Sequence, residues 1–202
     1  MKETKNKIVY GQICWRRSLS LFCFCLFTFA FLLSPPSAAA QRDYFTEAEI
    51  ELIRDAQQID QRINVLTHAI DRRFAVLKID VGTPAKKPAG DWGEMPTGSR
   101  GEMLNDIKYI LRKAIEDIDN LAARPDSMVI DPNEKKPKGY SELFPTAVRL
   151  LAAAATRYQP ALKIELDKTT TESEKGSILS SLEMCSEITT AVAKLPAPTK
   201  KN

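Results

Sequence analysis

Leu52, Ala56, Ile59, Ile63, Leu66, Ile70, Phe74 and Leu77 follow one another at steps of four and three. An α-helix turns every 3.6 residues, so this spacing lays one apolar stripe along one side of a helix; a strand needs alternation by twos. The spacing returns in Leu104, Ile107, Leu111, Ala114, Ile118 and Leu121, and again in Ala147, Leu151, Ala154 and Tyr158. It returns a last time in Ile178, Leu182, Cys185, Ile188 or Thr189, Val192 and Leu195. The only strand-like run, Met128-Val129-Ile130, is too short to count. Four stripes that cannot bury themselves alone predict an all-α fold, an antiparallel bundle of about four helices.

Start and stop signals set the expected bounds. Thr46 with Glu49, and Ser99 with Glu102, have the spacing of a capping box, in which each side chain satisfies the other's free amide. No Gly or Pro falls between Tyr44 and Val81, which predicts one continuous helix over 46–78. The second helix should end before Arg124-Pro125, because the residue ahead of a proline is pushed out of helical geometry. The third should begin near Ser141 and be kinked or ended by Pro160, the fourth between Thr171 and Ser177, where the spacing of Thr171 to Glu174 repeats the cap. Between them, 80–101 carries five glycines and three prolines, and 124–139 carries the cluster Lys135-Lys136-Pro137-Lys138. Both are expected to be flexible Pro/Gly/Lys-rich linkers, and 196–202 a disordered tail.

The N-terminal segment has a different design. Lys2, Lys5, Lys7, Arg16 and Arg17 precede an apolar run from Leu19 to Leu33, then Ser34-Pro35-Pro36 and Ala38-Ala39-Ala40. A membrane span needs roughly 17–25 apolar residues, so the run is short for an anchor. Basic, apolar and small-residue regions in that order describe a cleavable secretory signal over residues 1–40, cut after Ala40. Arg16-Arg17 also fits a twin-arginine signal, while the Phe- and Leu-rich run suits the general secretory route. The mature chain, 41–202, is then one domain in the periplasm or outside the cell, with no membrane anchor left.

Cleavage changes the chemistry on offer. The whole chain has 29 basic and 26 acidic residues, and losing five and one of these turns its +3 into −1. Without a basic face, a nucleic-acid partner is not expected. Three of the four cysteines leave as well, and the remaining Cys185 is expected in the core, on the apolar face of the last helix.

Catalytic sets are missing from what remains. His68 is the only histidine and falls off the apolar stripe, so it is expected to point outward and exposed. With a single histidine, zinc sites built on two or three and the paired Glu-x-x-His iron sites are not available. Glu116, Asp117 and Asp119 read as a solvated helix face. No catalytic residue, metal ligand or cofactor is therefore assigned. Two binding features stand out. The small residues Ala152–Ala155 lie beside Arg149, Arg157 and Tyr158, which could line a shallow cleft for a small ligand or a partner. The long first helix has enough heptads for a coiled-coil homodimer. The leading expectation is an exported, non-catalytic helical protein of the bacterial cell envelope that binds another protein or envelope macromolecule or acts structurally. A small-ligand protein or enzyme using the Ala152–Ala155 cleft is the alternative. Mass spectrometry of the protein from its native host should find an N-terminus at Gln41 or within a few residues of it. An intact Met1 species in the membrane fraction would instead mean an anchored protein.

Overall fold

Thr46 and Glu49 close the box that their spacing predicts. The Thr46 hydroxyl accepts from the Glu49 amide at 3.3 Å, and Glu49 Oε2 accepts from the Thr46 amide at 3.0 Å. In the computed structural model, which describes residues 43–83, 87–128 and 138–195, this cap starts α1 (Glu47–Asp55). The expected signal segment, most of the second linker and the tail lie outside the described residues.

The single helix expected over 46–78 is in fact two. α1 ends at Asp55, and α2 (Ile59–Val76) begins after Ala56, Gln57 and Gln58. No local breaker causes this; a long-range interaction does. Glu49 Oε1 accepts from Arg72 at 2.8 Å and from Arg73 at 2.5 Å, and its Oε2 accepts from Arg73 at 2.6 Å. At 1.5 Å rise per residue, a straight helix would hold those groups roughly 35 Å apart. The chain must turn back on itself to bring them together, and Arg62 Nε fastens the turn by donating to the Ala56 carbonyl at 3.0 Å. The continuous helix that a heptad dimer would use is therefore not formed.

Lys78 ends α2 with φ +57, a left-handed position, while the Ile79 amide returns to the Phe74 carbonyl at 2.9 Å. The loop that follows lies on the helices. Trp92 is buried and its indole N–H donates to the Pro88 carbonyl at 3.3 Å. Gly90, with φ +124, leaves no room for a Cβ, which would overlap the Leu52 side chain; at Gly93, with φ +56, a Cβ would come 2.9 Å from that of Ala48. The Ser99–Glu102 box then starts α3 (Arg100–Ala123), as its spacing predicts. A 3₁₀ turn, Pro125–Ser127, follows it.

α4 (Tyr140–Lys168) runs through Pro145 and Pro160; of the kink or end expected at Pro160, the end does not occur. Pro160 and Thr156, whose carbonyl would have received the missing donor, both face solvent, where water can satisfy that carbonyl. α5 (Glu172–Val192) starts after Thr171, but no side-chain cap forms there. Glu174 instead accepts from Arg100 Nε at 3.3 Å.

Every regular element among the described residues is helical. α2 packs on α3 and α4, and α5 packs on the same two, while the short α1 leans on α2. Ile63, Leu66, Ile70, Phe74, Ile107, Leu111, Ala114, Leu151, Ile178 and Cys185 meet in one core, in line with the stripes read from the sequence.

Removing one partner of a buried ion pair leaves the other charge desolvated and unpaired. Glu49→Gln should therefore lower the unfolding free energy by about 3–5 kcal/mol in urea titrations. Glu51→Gln, which breaks the exposed Glu51–Arg54 pair, should stay within about 0.5 kcal/mol of the parent. Equal effects of the two changes would show that the Glu49 cluster does not organise the fold.

Candidate functional site

The groups with reactive potential are largely committed to structure. Cys185 is fully buried, as its place on the α5 stripe predicts, and burial pushes its thiol up to about 12. A thiol held protonated among apolar side chains is a poor nucleophile. His68 is not the outward, exposed residue expected. It is half-buried, with the Trp92 ring edge-on at 4.4 Å, and its Nδ1 is buried without a hydrogen-bond partner among the described residues. The periodicity of α2 placed His68 off that helix's own stripe, and Trp92 from the loop that follows α2 then covered it.

Arg149, Arg157 and Tyr158 do not present three free side chains to a cleft. Tyr158 is fully buried, its hydroxyl donating to the Thr67 carbonyl at 3.0 Å and its ring 5.2 Å from that of Phe74. Burial, with Asp71 nearby, holds that phenol well above its usual range. Arg157 clamps both oxygens of Asp71 at 3.1 Å, reaches the carbonyls of Val81 and Gly82, and lies over the Tyr158 ring. Arg149 is half-buried about two turns earlier on α4. Ala152, Ala154 and Ala155 are buried, so this surface lets neighbouring helices approach closely.

The acidic trio also divides. Glu116 and Asp119 are exposed, but the Asp117 side chain is 8 % exposed and pairs with Lys113, four residues earlier. Among the described residues no group of three or more His, Cys, Asp or Glu side chains is placed to hold a metal ion.

Two openings stand out among the described residues. One is an apolar groove of about 160 Å³ where the C-terminal halves of α3 and α5 meet the start of α4. Ile115, Ile118, Phe144, Val148, Leu151 and Ile188 form its floor, and the exposed Asp119 and Glu187 stand at its edge. The other is a polar cavity of about 290 Å³ beside the α1–α2 turn. Sequence reasoning missed both, because each takes its walls from three or more separate segments. The stripes did carry a partial signal, since Ile118, Leu151 and Ile188 belong to them.

Compared with protein-family models, with curated proteins and with solved structures, the chain matches none.

Desolvation lowers the pKa of His68 from its ordinary 6.5, against a smaller opposing pull from Asp71. The folded state therefore binds this proton less readily than the unfolded chain, so the contribution is full above about pH 6.5 and is lost as pH falls below it. Urea midpoints taken at about pH 7.5 and about pH 5.5 should fall further for the parent than for His68→Phe. Equal falls in both would show that the imidazole is hydrated in the folded protein.

Proposed function

We propose that this chain is an exported, non-catalytic helical protein of the bacterial cell envelope that binds another protein through the groove between α3, α4 and α5. The basic, apolar and small-residue order of residues 1–40 supports export to the periplasm or beyond. The proposed architecture is an antiparallel bundle of the four long helices, with flexible stretches in the two Pro- and Lys-rich linkers. The ring of neighbours α2–α3–α5–α4 supports it, since each helix then has two partners for its stripe.

The observation that carries the binding reading is the groove itself. Its floor is built from residues of the main core, yet it stays open to solvent between helices that are otherwise closed on one another. Apolar surface left in water costs about 25 cal/mol per Å², which a partner's apolar side chain recovers by covering it. Asp119 and Glu187 give the edge a negative sign, and Glu116 and Glu183 continue it one turn back along α3 and α5. A segment with apolar anchors flanked by Lys or Arg fits both features, the acidic edge steering approach and the floor supplying affinity.

Photo-crosslinking in the producing host tests this. A crosslinker at Ala191, exposed on the groove wall, should capture one protein through a peptide containing apolar and basic residues. The adduct should disappear when Asp119 and Glu187 are both changed to Lys. A crosslinker at Glu172, at the far end of α5, should capture nothing. Adducts from both positions, or an Ala191 adduct indifferent to the charge reversal, would overturn the proposal.

A further inference from the structure

Residues 88–94 lie as a short strap across α1 and α2. The strap meets α1 at two glycines, Gly90 against Leu52 and Gly93 against Ala48. On α2, the Trp92 indole rests on two side chains one turn apart. The His68 ring centre is 4.4 Å from it, and the Arg72 guanidinium 5.6 Å. The indole N–H donates to the Pro88 carbonyl inside the strap, so that bond ties nothing to the helices. The strap is held down by the buried Trp92 ring and by Arg72, which donates to the carbonyls of Gly93 and Glu94.

His68 is the group beneath this strap that changes charge near neutral pH. Its Nδ1 is buried and has no hydrogen-bond partner among the described residues. Protonation adds a positive charge and leaves a buried donor unmatched, which is costly. The carboxylates nearby are already engaged. Glu49 from α1 is held by Arg72 and Arg73, and Asp71 from α2 is clamped through both oxygens by Arg157 from α4. Arg72 from α2 and Lys87 from the loop have the same sign as an imidazolium. Arg72 is four residues from His68, a spacing at which like charges on a helix repel.

From this arrangement we infer that residues 88–94 form an acid-released strap: protonation of His68 lifts Trp92 off α2 while the helices stay folded. Opening hydrates the imidazolium and uncovers Ala48, Leu52 and Arg72. Under the strap, desolvation lowers the His68 pKa, with Asp71 pulling the other way. The closed form therefore resists the proton, and an open form takes it at about 6.5, so acid favours opening. This strap is independent of the groove proposed above.

The chain has two tryptophans, so the full chain carrying Trp15→Phe reports on Trp92 alone. His68 is the only histidine, so its imidazole gives a single NMR titration. Between about pH 7.5 and about pH 5, Trp92 emission should move to the red and become open to quenching by acrylamide. The far-UV helical signal should stay constant, and the His68 resonance should titrate over the same range with a midpoint below 6.5. His68→Phe should keep the blue emission throughout. Trp92→Ala, which removes the cover, should bring the His68 midpoint up towards 6.5. Emission that stays blue while His68 titrates would show the imidazolium accommodated beside the indole, and would overturn the inference. So would a red shift shared by His68→Phe, a red shift that accompanies loss of helix, or an unmoved His68 midpoint in Trp92→Ala. If either variant does not fold, the emission, helical signal and His68 titration of the Trp15→Phe chain decide between these outcomes.

Discussion

The Glu49 carboxylate, held between Arg72 and Arg73, is the interaction on which the rest of the structure depends. All three side chains are buried, and Asp106 on α3 lies 3.8 Å from Arg73 Nε, so two cations face two anions. Removing a charge from water costs several kcal/mol, and only close opposite charges and hydrogen bonds offset that cost. Glu49 comes from α1, the arginines from α2 and Asp106 from α3. Arg72 also donates to loop carbonyls at Gly93 and Glu94, and Arg73 to the carbonyl of Tyr44. The full set of these bonds exists only once all of the segments have arrived. The cluster therefore makes assembly of the first half of the domain cooperative, and it rules out the straight helix that local propensity favours.

The same cluster explains the loop after α2. Arg72 lies 5.6 Å from the centre of the Trp92 ring, so the ring covers the buried cation on one side and the His68 imidazole on another. The backbone reaches that position only where glycine permits it, at Gly90 against Leu52 and Gly93 against Ala48. In composition this segment is indistinguishable from a solvated spacer. What sets it apart is one tryptophan, with an apolar body large enough to hold the loop and an N–H that finds a carbonyl within the loop itself.

How much was legible follows from the range of each interaction. The two capping boxes and the four apolar stripes are local, within three or four residues, and the helices, the core and the burial of Cys185 could be read from them. The break at Ala56–Gln58 and the covering of His68 depend on contacts with residues far away in the chain. Thr171 and Glu174 are instructive because their spacing is right for a cap, yet Arg100 on another helix takes the glutamate. Local pattern states what a side chain is able to do; tertiary competition decides which option it takes. Pro160 shows the converse. Its cost is real but small here, because the backbone carbonyl it leaves without a donor lies on the solvent side of α4.

The C-terminal turns of α3 serve both openings at once. Successive helical residues are about 100° apart, so Asp117, Asn120, Leu121 and Arg124 share one face while Ile115, Ile118 and Asp119 share another. The first face lines the polar cavity and the second lines the groove. Asp117 is fixed by Lys113 four residues earlier, while Ile118 is fixed by the core. The two faces are thus held by different interactions on one rigid element. A side-chain change on one face need not disturb the other, but a shift of the helix axis moves both.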